Sequence, residues 1–314
     1  QSHDEQVQYL SMLLKLAQPF LPKAVWLSIT AWLILSYHKI RGLQTKQINI
    51  SLRTLLLKEI KVIRNNSFET HGLDHISAAQ INSFIYSPYL WLCRVANLDK
   101  SFGASMFRGK AIGVAAAHIG ENNGGKHSAL ALAEQTYFKE LKDNGIPQDD
   151  PKAQKELGLV QRTVEMLSHS FDEKVIESEK EVWVELDDIP VPIKGYVDMV
   201  CEDKIIELKS KPSTQSSLEH SANLQASIYH EALGLDAYVY YAYPKGVSIF
   251  KANHAVGISR AKQAAFKMQN ILSLSSDVQE IIRMYCIPNA DDYRVGDVEL
   301  NFYNSIYGEN YDSK

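Results

Sequence analysis

The sequence has few cysteines and no long hydrophobic run. Its 314 residues include three cysteines, Cys93, Cys201 and Cys286. Their wide spacing fits neither a disulfide framework nor a closed four-ligand zinc site. The most apolar stretch, residues 24–35, is shorter than the roughly 20 residues that a membrane-spanning helix needs. These absences predict a protein without a membrane partner in a reducing, cytoplasmic compartment.

The chain also lacks an excess of positive charge. It carries 33 Lys and Arg against 37 Asp and Glu, a net charge of −4. A globally cationic surface is therefore excluded, and any contact with nucleic acid must come from a local basic patch. Residues 39–64 are basic, with Glu59 as their only acidic residue. This segment is interpreted either as a phosphate-binding arm or as a solvated helix face.

The hydrophobic pattern changes along the chain. The first 65 residues favour helix, and Ser77 is a predicted N-cap of a further helix. More helices are predicted over residues 111–118, 128–142 and 150–171, and strand patterns begin at Val182. Helices over 216–233 and 258–283 alternate with these strands. The sequence therefore predicts an α/β protein with a mixed central sheet flanked by helices, and a helical N-terminal extension.

Two short strands bring three charged side chains together. Residues 197–200 and 204–209 are predicted to pair around a turn at Glu202 and Asp203, which places Asp198 directly opposite Glu207. Their Cβ atoms are then about 5 Å apart. Strand alternation places Lys209 on the same face as Glu207 and directs Ile206 and Leu208 into the core.

Such a cluster has two interpretations. Two adjacent carboxylates repel each other unless a cation lies between them. A hard divalent ion such as Mg²⁺ accepts oxygen ligands of this kind and polarises a phosphodiester, and an adjacent lysine stabilises developing negative charge. Alternatively, the segment is a surface hairpin with an ordinary Glu–Lys pair that contributes little to stability. The spacing alone leaves both interpretations open.

The segments around this hairpin resemble the PD-(D/E)xK nuclease superfamily, specifically its RecB-type and phage exonuclease branch. The matching motifs are Gly195-Tyr-Val-Asp198, Glu207-Leu-Lys209 and Gln225-Ala-Ser-Ile-Tyr229, in the family's order. The upstream stretches "ISAAQINSFIYSPYLWLC" and "FRGKAIGVAAAHIG" also resemble this branch. The resemblance covers residues from about 75 to the mid-250s. It leaves residues 1–65 outside and makes 66–314 the nuclease-like domain.

The resemblance implies a restriction-endonuclease-like core and a site for Mg²⁺ or Mn²⁺. Asp198 and Glu207 would bind the metal, together with the backbone carbonyl of Leu208. Lys209 would be the catalytic lysine, and Gln225 and Tyr229 would line the DNA-side face of the site. The implied function is a DNA nuclease, most naturally an exonuclease, in phage-like replication, recombination or repair.

The resemblance also carries expectations about partners. DNA is the implied substrate, with a homo-oligomer or a recombination partner protein as further expectations. A phage-encoded enzyme would work in the host cytoplasm. Lys194 and Lys211 flank the site as candidate phosphate contacts.

Some relatives carry an iron–sulfur cluster on one upstream cysteine and three clustered near the C-terminus. Because only Cys286 lies beyond the core, no cluster is expected here.

One position departs from the family pattern. The family has a His or Glu metal ligand on the helix after Arg-Gly-x-Ala, and the alignment of "RGKAI" places Gly113 there. His118 and Glu121 lie further along the helix and are not convincing replacements. The alternative function is therefore a catalytically impaired nuclease-fold protein that binds DNA without cutting it.

Other functional classes have weaker support. The stretch "GENNGGKHS" approaches a P-loop, but His127 stands where a Ser or Thr would hold Mg²⁺. A surface loop between two helices explains its glycines and asparagines more simply. The histidines have no zinc-like spacing, and no Gly-x-Ser-x-Gly elbow is present. The tyrosine-rich stretch from Tyr238 to Pro244 is predicted to be a buried strand and not a base-stacking surface.

Overall fold

The computed structural model describes residues 66–98, 103–122, 126–285 and 297–307. The predicted N-terminal extension, the basic segment and Cys286 lie outside these residues. In chain order the elements are α1 (Ser67–Thr70), β1 (Ile76–Ser77), α2 (Ala78–Tyr86), α3 (Pro88–Val95), α4 (Ala104–Asn122), α5 (Lys126–Asp143), α6 (Pro151–Ser170), β2 (Val175–Val184), β3 (Ile193–Cys201), β4 (Lys204–Ser210), α7 (His220–Leu233), β5 (Asp236–Tyr243), β6 (Gly246–Lys251), α8 (His254–Leu272), α9 (Val278–Tyr285) and α10 (Asp297–Tyr307).

The strands form one mixed sheet of six. The order is β1-β3-β4-β5-β6. Strands β1 and β4 pair with different residues of β3 along one edge, and β2 pairs with its opposite edge. The β2–β3, β3–β4 and β5–β6 pairs are antiparallel, whereas β4 and β5 are parallel and are joined through α7. The predicted mixed sheet is therefore confirmed.

Helices cover both faces of this sheet. One apolar core joins it to α2, α3, α7, α8 and α9, with Trp91, Ile193 and Tyr241 fully buried. A second core joins the sheet to α4, α5 and α6, with Phe107, Tyr137 and Ile206 fully buried. The predicted arrangement of helices on a central sheet is confirmed, and β5 is a buried strand, as its tyrosines indicated.

Local signals account for several helix ends. Ser77 caps α2 as predicted: its Oγ accepts the Gln80 N–H at 3.1 Å, and Oε1 of Gln80 accepts the Ser77 N–H at 2.7 Å. Asp150 caps α6, where Pro151 takes the first helical position that tolerates proline. Helix α7 ends at Gly234, whose φ of 70° favours glycine.

Several predicted boundaries are wrong. Strand β2 begins at Val175, seven residues before Val182, because pairing with β3 stabilises a charged stretch that alternation alone did not identify. Helix α4 extends well beyond the predicted 111–118. The helix predicted over 258–283 is two helices, separated at residues 273–277. Serine and aspartate side chains bind backbone groups there, and such bonds compete with helix.

Candidate active site

The hairpin of β3 and β4 has the predicted register. Met199 pairs with Ile206 and Val200 with Ile205 around the two-residue loop at 202–203. The ladder extends no further towards Asp198. Instead, the backbone N–H of Leu208 donates to Oδ2 of Asp198 at 2.6 Å. The Asp198 carboxylate therefore accepts an N–H that a backbone carbonyl of β3 would accept in a continuous ladder. This bond fixes the carboxylate against the backbone of Leu208.

This break in the ladder has a topological cause. Residues Ile193 and Lys194 pair with β2 on one edge of β3 and with β1 on the other. The β1 edge is also the edge that pairs with β4 at Met199 and Val200. Between these two short ladders, the side chain of Asp198 lies at an interruption of the sheet. Interrupted pairing is a common way for a sheet to present a functional side chain.

Glu207 lies beside this carboxylate in a nearly dry position. It is only 2% exposed, and its Oε1 forms an ion pair with Nζ of Lys209. Its Oε2 has no hydrogen-bond donor among the described residues. A buried carboxylate oxygen without a partner carries a large desolvation cost and needs an explanation. The predicted convergence of Asp198, Glu207 and Lys209 is present in the structure.

A chain of hydrogen bonds positions Lys209. Its ammonium group donates to Oε1 of Gln225 at 2.9 Å, and Nε2 of Gln225 donates to the Tyr229 hydroxyl at 2.9 Å. Gln225 and Tyr229 are one turn apart on α7, so they reach the strand from the same helix face. Tyr229 is 3% exposed. The expectation that Tyr229 lines the DNA-side face is therefore corrected, because its ring lies in the core and reaches Lys209 through Gln225.

Gly195 makes room for that tyrosine. A Cβ at this position would lie 2.5 Å from Cε1 of Tyr229, well inside van der Waals contact. The glycine of the Gly-x-x-Asp motif is thus required by the approach of the α7 aromatic ring to β3. Turn geometry does not explain it, since this glycine lies within a strand.

The pKa shifts follow chiefly from burial and then from neighbouring charges. Burial raises the pKa of Asp198 well above its ordinary value, and the nearby charge of Glu207 raises it further. Burial also raises the pKa of Glu207, against the opposing effect of Lys209. For Lys209, burial lowers the pKa, but the attraction of Glu207 and Asp198 outweighs it and the pKa is raised. The lysine therefore stays charged at neutral pH, and both carboxyl pKa values lie above their ordinary values.

These residues fit a hard divalent cation. No group of three or more His, Cys, Asp or Glu side chains within the described ranges is arranged to hold a metal ion. Asp198 and Glu207 offer two carboxylates. Two are enough for Mg²⁺, which is commonly bound by one or two carboxylates with retained waters. A cation beside Oε2 of Glu207, which has no hydrogen-bond donor among the described residues, would offset the cost of burying these two carboxylates.

Sequence reasoning missed a third carboxylate. Glu179 on β2 lies at the level of Asp198, between the residue pairs Ser178–Met199 and Lys180–Val197. Its φ is 50°, a left-handed conformation that is uncommon for a residue with a side chain. Its negative charge raises the pKa of both Asp198 and Glu207. The only sequence signal is its position in "ESEKE", which is indistinguishable from a solvated strand face.

Arg108 was also not singled out by the sequence. Its Nε donates to Oγ of Ser210 at 2.9 Å, next to Lys209 in the chain, and its guanidinium forms an ion pair with Glu156 of α6. Both partners of the ion pair are buried. Arg108 thus joins α4 and α6 to the end of β4 that carries the site, which gives a structural reason for the arginine in "FRGKAIG".

The position where the family has a His or Glu is open. A Cβ on Gly113 would meet no atom within 4 Å. Neither nearby candidate takes part in the pair of carboxylates: His118 contacts Oγ of Ser128 at 3.1 Å, and Glu121 accepts the Ser178 hydroxyl at 2.6 Å. The site as described has no contribution from α4 in place of the missing side chain.

The two flanking lysines are engaged in ion pairs. Nζ of Lys194 lies 2.9 Å from Oε2 of Glu181, and Nζ of Lys211 lies 2.5 Å from Oε1 of Glu219. A phosphate group would have to compete with these carboxylates. The expected phosphate contacts therefore stay a prediction.

The two cysteines within the described residues are both buried. Cys93 is buried in the first core and Cys201 in the second, on opposite faces of the sheet. Residues 123–125 of "GENNGGKHS" lie outside the described residues, so the predicted loop stays a prediction; the residues before them belong to α4 and those after them to α5. Within the described ranges, no helix has both the length and the apolar character needed to cross a membrane.

Comparisons with known proteins identify one family. The sequence model of the PD-(D/E)XK nuclease superfamily matches residues 75–299. A search of curated proteins gave no match. Among solved structures, a crystal structure of SSO0001 matches with 15% identity, over 61% of this chain and 87% of that chain, with a TM-score of 0.28. The family match and the six-stranded mixed sheet between helices confirm the predicted restriction-endonuclease-like core. The match spans well over half of the chain, and the protein therefore belongs to the PD-(D/E)XK nuclease superfamily.

Proposed function

We propose that this protein is a DNA nuclease that depends on Mg²⁺ or Mn²⁺. The superfamily implies phosphodiester hydrolysis, and the finer assignment is to the RecB-type and phage exonuclease branch, with a role in phage-like replication, recombination or repair. The observation that carries the proposal is the buried Glu207 carboxylate beside Asp198, with one oxygen unpartnered and Lys209 in contact with the other. A surface hairpin with an ordinary Glu–Lys pair does not bury a carboxylate in this way.

Each residue has a role that follows from its contacts. Asp198 and Glu207, with the backbone carbonyl of Leu208, would hold the cation, which polarises the phosphodiester when bound. Lys209 places a positive charge at the same spot and would stabilise negative charge that develops on the phosphate. Gln225 fixes the ammonium group of Lys209, and Tyr229 fixes Gln225. Gln225 and Tyr229 are therefore positioning residues in this proposal.

The second candidate is a nuclease-fold protein that binds DNA without cutting it. Gly113 favours this candidate, because it leaves the site without the helix side chain that the family uses there. Homo-oligomeric assembly, a recombination partner protein and a separate extension over residues 1–65 stay predictions. DNA binding should be modest, because the chain carries a net charge of −4. It should weaken steeply with salt, because phosphate contacts release counterions.

A digestion assay separates the two candidates. Linear and covalently closed circular DNA would be incubated with the full chain in Mg²⁺, in Mn²⁺ and in EDTA. We expect degradation that requires a divalent ion and a free DNA end, and a loss of about 100-fold or more in Asp198→Ala and Lys209→Ala. Asp203→Ala and Lys174→Ala are matched controls, since both residues are exposed.

The outcomes of this assay are distinct. Cleavage that persists in Asp198→Ala and Lys209→Ala would contradict the assigned site. A parent chain that binds DNA but leaves it intact in both metals would favour the non-cutting candidate. Degradation of the closed circle at the same rate as the linear DNA would contradict action from an end.

A further inference from the structure

A row of partly exposed side chains on β2 and β3 leads away from Asp198. Along β3, Tyr196 is exposed and Lys194 and Asp198 are partly exposed, while the residues between them are buried. On β2, Trp183 pairs with Lys194 and Glu181 with Tyr196, and Glu179 follows opposite Asp198. We name Trp183, Lys194 and Tyr196 the aromatic strip. It is continuous with the candidate active site.

Both rings of the aromatic strip are accessible. Trp183 is 48% exposed and Tyr196 is 46% exposed. The large aromatic side chains of a sheet usually stabilise it by covering apolar surface. Two half-exposed rings on neighbouring strands, one of them two residues from a predicted metal ligand, are more than the sheet itself requires.

The rings are held in fixed orientations. Glu181 accepts the Trp183 indole N–H at 2.8 Å through Oε1 and the Tyr196 hydroxyl at 2.9 Å through Oε2. The ammonium of Lys194 lies 2.9 Å from the same Oε2, 4.9 Å from the Trp183 ring centre and 5.4 Å from the Tyr196 ring centre. Such preorganisation lowers the entropic cost of binding a ligand.

Glu181 stays ionised within the strip and is offset by Lys194. Hydrogen bonds from Lys194, Trp183 and Tyr196 lower the pKa of Glu181 to about 2, so these contacts persist across the usual pH range. The carboxylate is compensated by the adjacent Lys194 ammonium. The strip therefore presents two aromatic rings and a Lys194–Glu181 pair, and a phosphate at Lys194 would compete with Glu181.

The spacing of the strip suits successive nucleotides. Residues two apart on a strand have Cα atoms roughly 7 Å apart, so Tyr196 and Lys194 lie one and two such steps from Asp198. Single-stranded nucleic acid is bound without sequence preference by aromatic rings on which bases stack, next to cationic groups that meet the backbone. A base pair inside a duplex offers no free face to such rings.

We propose that the aromatic strip binds the unpaired nucleotides of single-stranded DNA next to the candidate active site, with bases stacked on Tyr196 and Trp183 and a phosphate near Lys194. This inference rests on the proposed nuclease function and names its substrate class. The enzyme selects strands or ends that are already unpaired, and a blunt duplex is a poor substrate.

The test measures binding without cleavage. A fluorescein-labelled 12-nucleotide oligo-dT and a blunt 12-base-pair duplex would be titrated with the full chain in EDTA by fluorescence anisotropy. We expect Trp183→Ala and Tyr196→Ala each to weaken oligo-dT binding about tenfold and to leave duplex binding within about twofold. Trp183→Phe and Tyr196→Phe keep a ring and retain most of the affinity. Ile249→Ala is the matched control for an exposed apolar residue on the same sheet.

A second measurement does not depend on the alanine variants folding. Stacking of a base on Trp183 quenches its fluorescence, so oligo-dT should quench tryptophan emission of the parent chain. That quenching should be lost in Trp183→Phe, which leaves the other tryptophans in place. Quenching of equal size in the parent and in Trp183→Phe would overturn the proposal.

The result separates this inference from the nuclease proposal. Oligo-dT affinity that is the same in the parent and both alanine variants overturns the strip, even if the parent degrades DNA. An equal loss of oligo-dT and duplex affinity also overturns it. If the alanine variants selectively lose oligo-dT binding and the parent does not cut DNA, the strip is supported and only the nuclease function is contradicted.

Discussion

The ring of Tyr229 occupies the space that a side chain on Gly195 would need. A Cβ at residue 195 would lie 2.5 Å from Cε1 of this ring. Since Tyr229 also fixes Gln225, and Gln225 fixes Lys209, the glycine of β3 and the lysine of β4 are linked through one aromatic ring on α7.

Gly195→Ala should therefore disturb the site as well as the core. Displacement of Tyr229 would release Gln225 from Lys209, and overpacking of this kind destabilises proteins by about 1–3 kcal/mol. We expect a lower urea midpoint and a lower rate of DNA cleavage. Gly109→Ala is the control, because a Cβ there meets no atom within 4 Å. A Gly195→Ala protein with parental stability and activity would contradict the packing argument.

Removal of Lys209 should destabilise the protein through Glu207. Lys209→Met leaves the buried Glu207 carboxylate without its counter-charge, at a cost of about 1–3 kcal/mol. Adding Glu207→Gln removes that buried charge, so the double variant should lose less stability than the sum of the two single variants. All three variants should be inactive. The measurement is urea unfolding in EDTA, and additive losses would argue against a direct Lys209–Glu207 coupling.

The raised pKa of Asp198 has a consequence for stability against pH. A carboxyl whose pKa is higher in the folded than in the unfolded protein stabilises the fold fully below the unfolded pKa. That stability is lost as pH rises through the folded pKa. In EDTA, Asp198→Asn should therefore equal the parent in stability near pH 4 and be more stable than the parent at pH 8. The measurement is denaturant unfolding at both pH values.

Divalent metal gives the control for that experiment. An ion that binds only the folded protein raises its free energy of unfolding. Mg²⁺ should therefore stabilise the parent at pH 8 and leave Asp198→Asn nearly unchanged. An Asp198→Asn variant that is no more stable than the parent at pH 8 would show that the Asp198 carboxylate is not destabilised by burial and by Glu207.

The open space at Gly113 allows the missing side chain to be restored. Gly113→Glu and Gly113→His should fold without steric conflict and should gain helix propensity, since glycine is unfavourable in a helix by about 1 kcal/mol. If residue 113 occupies the family's ligand position, both should bind Mn²⁺ more tightly and cleave DNA faster. Gly113→Gln is the matched uncharged control. An active parent with no gain in either variant would mean that the alignment at this helix is wrong.

The sequence predicted the centre of the site better than its surroundings. The alternation of β4 and the two-residue loop at 202–203 were enough to place Asp198, Glu207 and Lys209 together. The role of Gly195 was not predictable, because it depends on how closely α7 approaches the sheet. Glu179 and the exposure of Tyr196 depend on the pairing of β2 with β3, a long-range contact that charge patterns do not encode.

The central claim is that Asp198, Glu207 and the backbone of Leu208 converge on one divalent cation beside Lys209. Anomalous diffraction from a crystal soaked in Mn²⁺ tests it most directly. We predict a single peak within coordination distance of one oxygen from each carboxylate, absent from crystals of Glu207→Gln. Parent crystals in which the two carboxylates point away from each other, with no peak between them, would contradict the claim.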